Sequence, residues 1–242
     1  MRSWIQTGWR QVRNQQANSL LVVLTLGLGM TGIALVLAIA DGLLFRALPF
    51  PANDRLALLW TTPQARPAEL GLSSPALLND LQSTVSGLET VGGFYFENLN
   101  LSRLPGGDLP APERVRAIRT TPGFFATLGL SPAMGRLPLP LEELVGASKT
   151  VVLSWDFFQQ RLGGNAQVLN QDLVFSGAVF RVVGVLPRDF RFPTVPAAVF
   201  APAQLHPNLA TARSARFLHI LATRKAAMSP FGLEQELLQM NR

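Results

Sequence analysis

Residues 19–40 of the chain read SLLVVLTLGLGMTGIALVLAIA and contain no charged side chain. At about 1.5 Å per residue, a helix of this length is roughly 33 Å long, which matches the hydrocarbon core of a bilayer. Twelve of these residues are Leu, Ile or Val, and together they favour insertion by about 5 kcal/mol, against a few glycines and small polar side chains. The segment therefore predicts a transmembrane helix.

The residues before this segment indicate its orientation in the membrane. Residues 1–18 contain three ionisable side chains, all of them arginine, and two tryptophans. Positively charged flanks remain on the cytoplasmic side of a membrane, and tryptophan is enriched at the level of the headgroups. We therefore expect a cytoplasmic N-terminus, with the bulk of the chain on the far side of the membrane. The side chains concerned are Arg2, Trp4, Trp9, Arg10 and Arg13.

The glycines of the apolar segment offer a second interpretation. Gly27, Gly29 and Gly32 form a G-x-G-x-x-G sequence, which is the fingerprint of a dinucleotide-binding loop. The helix after such a loop shows one polar face to water, whereas residues 33–40 are all Ile, Ala, Leu or Val. Glycines in an apolar helix instead allow another transmembrane helix to approach closely. We favour that role for them.

A cleaved signal peptide is the third interpretation of the segment. Residues 38–40 read AIA, which is typical of a cleavage site after a basic N-terminal region. The apolar stretch is longer than the usual 7 to 15 residues, and residues 43–45 (LLF) continue it beyond that site. These features favour an uncleaved anchor.

The amino-acid composition excludes several kinds of binding partner and site. Its 242 residues are 48% hydrophobic and 15% charged, which is an apolar balance for a soluble protein. The net charge is +6, but beyond residue 18 there are 18 basic and 15 acidic residues with no basic run of five. This distribution indicates a basic solvated surface rather than a nucleic-acid site. Because the sequence contains no cysteine, disulfides and thiolate metal sites are excluded.

The remainder of the chain, residues 50–242, predicts an α+β domain outside the membrane. Breakers at residues 49–54 (PFPAND) separate it from the apolar segment. N-cap residues followed by helical spacing, β-rich runs and glycine turns mark its elements. We expect strands at 56–62, 91–96, 113–120, 151–153 and 217–223, a hairpin of 173–175 with 178–186, and helices at 75–85, 123–128, 155–162 and from 229 onwards.

No catalytic or metal-binding template is present in the sequence. It has no P-loop, no G-x-S-x-G elbow and no H-E-x-x-H motif. His206 and His219 lack a convincing third ligand, so we interpret them as surface or core residues. Glu142 and Glu143 would point about 100° apart on a helix, which indicates a solvated acidic turn rather than a catalytic pair. We therefore expect no catalytic residue, no cofactor site and no metal site.

Several blocks of the chain, in this order, resemble the MacB-type, FtsX-like permeases of ABC transporters with a MacB-like periplasmic core domain. Together they span most of the sequence, which makes the resemblance more specific than any one block. The blocks are LTLGLG (24–29), LFRALPFP (44–51), DRL (54–56), PGFF (122–125), LG (128–129), GR (135–136), VVLS (151–154), RLGG (161–164), FRVVGVLP (180–187) and FRFP (190–193).

The resemblance implies a non-catalytic permease subunit, of which this chain is the N-terminal part. Its expected partners are the lipid bilayer, a separate ABC ATPase subunit and permease chains in a homo- or heterodimer, without nucleic acid. The implied division is a cytoplasmic lead-in at residues 1–18, a transmembrane helix with its exit at 19–46 and the periplasmic core at 50–242. The alternative is a stand-alone membrane-anchored domain that binds a partner outside the cytoplasm and transports nothing.

Overall fold

The structure is a computed structural model that describes residues 16–40, 53–62, 70–192 and 196–240. Residues 1–15 of the predicted lead-in and residues 41–46 of the predicted helix exit lie outside this part of the chain. The chain divides into two compact units, Met1–Ala47 and Leu48–Arg242.

The described part of the first unit is one helix, α1, from Gln16 to Ala40. Its stretch Leu20–Leu37 is long and apolar enough to cross a membrane, and none of these residues is buried by other parts of the protein. The hydroxyl of Thr31 donates to the carbonyl of Gly27 at 2.7 Å. Internal hydrogen bonding of this kind satisfies polar groups that would otherwise face lipid. The predicted apolar helix is thus confirmed.

The second unit is an α+β domain, as the sequence predicted. Its helices are interspersed among strands and strand hairpins along the chain. In chain order they are β1 Leu56–Leu59, α2 Pro75–Thr84, β2 Leu88–Leu104, β3 Gly107–Thr120, α3 Phe124–Thr127, β4 Met134–Gly135, β5 Thr150–Leu153, α4 Trp155–Leu162, β6 Asp172–Phe175, β7 Ala178–Val185, β8 Val199–Pro202, α5 Pro207–Ala210, β9 His219–Arg224 and α6 Pro230–Met240.

All nine described strands belong to one sheet, in the order β1-β9-β2-β3-β8-β5-β7-β4. The strand β6 pairs with both β2 and β7. As a result, six strands (β2, β3, β8, β5, β7 and β6) close into a ring, while β1 and β9 extend the sheet on one side. The pairs β3–β8 and β5–β7 are parallel and the others are antiparallel.

Local sequence signals account for several element boundaries. The Ser74 hydroxyl accepts a hydrogen bond from the backbone N–H of Leu77 and begins α2, and Ser154 begins α4 in the same way through Phe157. The turn between β6 and β7 has positive φ at both central residues, 50° at Ser176 and 79° at Gly177. A two-residue hairpin of type I′ requires this geometry. The hairpin and the helix starts were therefore predicted correctly.

Other boundaries differ from the prediction. The first strand ends at Leu59 rather than at residue 62, because Thr61 exchanges backbone hydrogen bonds with Gly71 instead. The second strand runs to Leu104, eight residues beyond the predicted end, and forms a long hairpin with β3. The strands β4 and β8 and the short helix α5 were not predicted.

Three clusters of buried side chains form the core, and alternate residues of the same strands enter different clusters. The first cluster lies against α4 and includes Leu101, Val115, Leu153, Phe158 and Val182. The second lies against α3 and includes Ile118, Phe124, Val152, Val183 and Phe200. The third lies beneath α2 and α6 and includes Leu78, Leu81, Ile220, Ala222 and Leu233.

The contact between α3 and β2 requires glycine at position 92. A Cβ at Gly92 would lie 2.5 Å from the backbone nitrogen and Cα of Phe124, which cannot move aside without shifting α3. At the neighbouring Gly93, a Cβ would meet only side-chain carbons, at 3.3–3.4 Å.

We therefore expect Gly92→Ala to lower the free energy of unfolding by about 2 kcal/mol, because overpacking displaces backbone. Gly93→Ala is the matched control and should cost clearly less, since methyl groups can shift. Thermal unfolding of the two purified variants compares them. Equal losses would contradict the close approach of α3 to Gly92.

Candidate functional site: the junction where the chain enters and leaves the sheet

The register of the first and last strands brings the start of β1 and the end of β9 together. Leu56, the first residue of β1, lies opposite Thr223, next to the last residue of β9. Leu88, the first residue of β2, lies opposite Arg224. Since β1 and β2 both run antiparallel to β9, their beginnings and the end of β9 lie at the same edge of the domain. We call this edge the junction; it comprises residues 53–56, 86–89, 223–228 and 236.

Arg55 connects the start of the domain to the other two strands of the junction. Its Nη1 donates to Oε2 of Glu89 at 2.5 Å and to the carbonyl of Arg224 at 3.4 Å. The Arg55 and Glu89 side chains are 36% and 49% exposed, so the ion pair alone contributes little stability. The role of these contacts is to hold the residues just before β1 against β2 and β9.

Glu236 connects the last helix to the same edge. Its Oε1 accepts hydrogen bonds from the backbone N–H of Ser86 at 2.6 Å and from the Ser86 hydroxyl at 2.8 Å, and its Oε2 accepts from the N–H of Gly87 at 2.9 Å. The hydrogen bond from the Ser86 hydroxyl is the main cause that lowers the pKa of Glu236. A Cβ at residue 87 would lie 2.7 Å from Oε2, so glycine allows the carboxylate to approach.

The turn between β9 and α6 is held at the junction as well. The guanidinium of Arg224 donates to the carbonyl of Met228, and the N–H of Lys225 donates to the carbonyl of Gly87 at 3.0 Å. The helix α6 then packs Leu233 into the cluster beneath α2. The segments just before β1 and just after β9 are thus fixed to one another by side-chain and backbone bonds.

We expect Glu236→Gln to lower the free energy of unfolding by about 1 kcal/mol at pH 7, because the carboxylate accepts these bonds more strongly than an amide. Glu234→Gln, on an exposed residue of the same helix, is the control and should change little. The pKa of Glu236 is lowered on folding, so its stabilisation is present above the ordinary pKa of 4.5 and is lost as the pH falls. A difference between the two variants that persists undiminished at pH 3 would contradict this role.

A cleft of about 480 Å³ lies on another part of the domain, between β3, α4 and the residues that precede β8. Two ion pairs cross it, Arg161 with Glu113 and Arg191 with Asp156, the latter at 3.0 Å. Ser154, the one hydroxyl in the lining, is already used as the N-cap of α4. The lining thus offers aromatic and charged surface but no nucleophile beside a base. Its other residues are Arg114, Val115, Arg116, Phe157, Gln160, Phe190, Phe192, Pro196, Ala197, Ala198 and Phe200.

The two histidines lie apart and in different settings. The Nδ1 of His206 accepts a hydrogen bond from the N–H of Asn208 at 3.3 Å, so this residue caps α5. The ring of His219 stacks on Phe94, with centroids 4.9 Å apart, and burial lowers its pKa. Within the described part of the chain, no three His, Asp or Glu side chains are grouped so that they could hold a metal ion.

The glycines that match a dinucleotide fingerprint lie inside α1. Gly27, Gly29 and Gly32 are all helical, so they do not form a turn between a strand and a helix. A Cβ added at any of them would meet nothing within 4 Å. The structure therefore supports the helical interpretation of this segment over the cofactor loop.

The prediction of a solvated acidic turn at residues 142–143 is wrong, because both side chains are partly buried and that of Glu142 is only 15% exposed. Glu142 forms a bidentate pair with Arg136, at 2.6 and 2.8 Å. Glu143 is half-buried, its Oε2 is shielded from solvent, and no hydrogen bond to that oxygen is present in the described residues. Burial raises the pKa of Glu143 to about 7. The alternation of polar and apolar residues in this loop gave no signal of that burial.

We expect the contribution of Glu143 to the free energy of unfolding to fall as the pH rises from about 4.5 to about 7. The reason is that the folded chain holds the proton of the Glu143 carboxyl more tightly than the unfolded chain. Glu143→Gln should therefore raise the unfolding midpoint at pH 8 and leave it nearly unchanged at pH 4, as thermal unfolding in matched buffers can measure. A variant that is equally stabilised at both pH values would contradict the burial of an ionised carboxylate.

Several solved structures are similar to the chain. A domain of a protein described as a permease from Porphyromonas gingivalis matches with a TM-score of 0.62 and 16% identity, over 79% of this chain and 85% of that one. The periplasmic region of MacB from Actinobacillus actinomycetemcomitans matches with 0.55 and 16%, over 77% and 81%. The extracellular domain of the ABC-type transporter YknZ from Gram-positive bacteria matches with 0.51 and 15%, over 74% and 86%. At these identities the likeness shows the fold.

The helix and the fold together define a class, namely an α+β domain with the fold of the MacB periplasmic region, preceded in the chain by one apolar helix. Residues 19–232 match the sequence profile of the MacB-like periplasmic core domain. No curated protein sequence matches the chain. The chain belongs to the MacB-like periplasmic core domain family, which confirms the resemblance drawn from its sequence blocks.

Proposed function

We propose that the chain is the N-terminal part of a non-catalytic permease subunit of an ABC-type system, which acts with a separate ATPase in transport or in transmitting movement to the periplasm. The observation that carries this proposal is the family match, because it spans the apolar helix and the folded domain as one unit. A domain that only binds a ligand can be joined to any membrane anchor. A domain that moves with its membrane helix requires that particular helix, so the two are expected to occur together in one family.

The proposed topology follows from the charges and the length of α1. Residues 1–18 are the cytoplasmic lead-in, residues 19–46 cross the bilayer and leave it, and residues 50–242 are the periplasmic core. The arginines before the helix favour retention of the N-terminus in the cytoplasm. The lipid bilayer of the bacterial inner membrane is thus the first partner of the chain.

The junction is the place where movement of the transmembrane helix would be passed to the domain. Movement of the transmembrane helix reaches the domain through residues 53–56, and Arg55 and β1 hold these residues to β2 and β9. The segment after β9 is held to the same edge by Glu236. A displacement applied at either of these two segments is therefore applied to the sheet as a whole. An ATPase subunit is the proposed source of that displacement, since the sequence has no P-loop.

The same proposal assigns a second permease chain, identical or different, to the surface of α1. Gly29 and Gly32 are three residues apart and therefore lie on neighbouring parts of one helix face. Apart from the backbone of α1 itself, no atom of the described residues lies within 4 Å of a Cβ added there. Small residues of this kind let a neighbouring transmembrane helix approach closely.

Thiol labelling tests the topology directly, because the chain has no cysteine of its own. We expect a cysteine introduced as Ser83→Cys, at an exposed position of α2, to react with a membrane-impermeant maleimide in intact spheroplasts. The control Gln6→Cys, in the lead-in, should react only after lysis. The reverse pattern, or labelling of both sites before lysis, would contradict the proposed orientation.

Affinity purification of the full chain from bacterial membranes in mild detergent tests its partners. We expect a subunit with a G-x-x-x-x-G-K-[ST] motif, together with a second permease chain, to be retained and identified by mass spectrometry. Gly29→Leu should reduce retention of the permease chain, because a large side chain blocks close helix packing. A chain that is purified alone under conditions that preserve a known transporter of this type would favour the stand-alone anchored domain instead.

A further inference from the structure

A small cavity of about 170 Å³ lies where α2, the start of α3 and the residues after β8 meet the loop that carries Glu143. It is separate from the junction and from the larger cleft, with which it shares no residue. A water molecule occupies about 30 Å³ of liquid, so the cavity has room for about five heavy atoms. Its lining consists of Pro75, Leu78, Asn79, Gln82, Thr121, Pro122, Glu143, Ala203, Gln204 and Leu205.

Glu143 is the one ionisable side chain in this lining. Its Oε2 is shielded from solvent and accepts no hydrogen bond from the described residues. A buried carboxylate of this kind is unfavourable unless it is protonated or paired with a cation. The cavity thus contains a charge that the rest of the described chain does not neutralise.

The charged groups on the surrounding elements have other partners. On α2, Asp80 pairs with Arg213 at 2.7 Å, and in the loop itself Glu142 pairs with Arg136. Beside α5, His206 accepts a hydrogen bond from Asn208. Lys149 lies 6.0 Å from the centre of the Phe180 ring. None of these groups contributes to the shifted pKa of Glu143, whose cause is burial.

The uncharged polar groups of the cavity wall offer acceptors to a ligand. The Nε2 of Gln82 donates to the carbonyl of Val91 at 3.2 Å. The Nε2 of Gln204 donates to the carbonyls of Glu142 and Ala147, at 2.9 and 3.2 Å. Gln204 thus uses both of its N–H groups on the backbone and Gln82 uses one, and no described donor contacts either amide oxygen, so these oxygens can accept a hydrogen bond from a ligand. Amide oxygens together with a carboxylate favour a cationic donor.

We propose that this cavity binds a primary ammonium or guanidinium group carried on a short aliphatic chain, with Glu143 as its counter-ion. The apolar part of the wall, formed by Pro75, Leu78 and Leu205, accommodates the aliphatic chain. The proposal goes beyond the permease role and stands or falls independently of it, since it concerns neither the membrane topology nor the ATPase.

The ligand group has two possible sources, a free small amine or a basic side chain of another protein. The loop that carries Glu143 exposes four large aliphatic side chains, Leu139, Leu141, Leu144 and Val145. A free amine would not need them, whereas the apolar neighbours of a lysine in a partner protein could pack on them. The two sources therefore differ in how tightly a peptide binds compared with a simple amine.

The test uses the full chain in dodecyl maltoside micelles, with n-butylammonium as the probe. Its dissociation constant is obtained from the rise in the unfolding midpoint with ligand concentration, at constant ionic strength. We expect the amine to bind at pH 8, and to bind about tenfold more weakly at pH 6. The reason is that the cation pairs with the ionised form of a carboxyl whose pKa is about 7.

Two variants test the role of the carboxylate: Glu143→Gln should abolish binding, and Glu234→Gln should leave it unchanged. The peptide acetyl-Leu-Lys-Leu-amide should bind more tightly than the amine if the source is a protein, and no more tightly if it is a small molecule.

Three results would overturn the proposal. The first is no binding of either probe at millimolar concentration, and the second is binding that survives in Glu143→Gln. The third is equal binding of n-butanol, which would show that the cavity recognises the alkyl chain and not the charge. If Glu143→Gln does not fold, the pH dependence in the unaltered chain decides, because pH-independent binding contradicts a role for the carboxylate.

Discussion

The antiparallel pairing of the first strand with the last is the constraint on which the rest of the domain depends. Because Leu56 lies opposite Thr223, the chain enters and leaves the sheet at one edge, and β2 begins at that edge as well. The start of β1 and the end of β9 are therefore neighbours. The chain between these two strands forms the closed ring of six strands and the helices that cover it. Arg55 and Glu236 add side-chain bonds at that edge, but the backbone register is what places them there.

This arrangement explains how the domain can move as one body with a membrane helix, as its proposed role requires. The side chains of β9 alternate between the cluster beneath α2 and α6, which contains Ile220, and the cluster against α3, which contains Leu221. The strands of the ring likewise place Val151 and Val152 in different clusters. Because the clusters share strands, a displacement of the junction is passed to the whole domain through packed side chains.

The sequence predicted those features that depend on neighbouring residues. The apolar helix, the N-caps at Ser74 and Ser154 and the turn at Ser176 are local, and each was predicted correctly. The full length of β2, the short β8 and the closure of the ring depend on pairing between distant segments, which no local pattern specifies. The candidate site was missed for the same reason: Glu236 and its partner Ser86 are 150 residues apart in the sequence. Burial of Glu143 likewise results from elements far away in the chain.

Disulfide formation across the first and last strands tests the central claim most directly, because the chain contains no cysteine. Ala57 lies opposite Ala222 in the register of β1 and β9, and the Cα separation of opposite residues in paired strands suits a disulfide. Mild oxidation of the full chain with Ala57→Cys and Ala222→Cys should give rapid, nearly complete cross-linking, seen as a shifted band on a non-reducing gel. The control pair Ala57→Cys with Ala201→Cys, which joins β1 to the distant strand β8, should remain reduced. Failure of the first pair to cross-link, or equal cross-linking of both pairs, would contradict the account that the chain enters and leaves the sheet at one fixed edge.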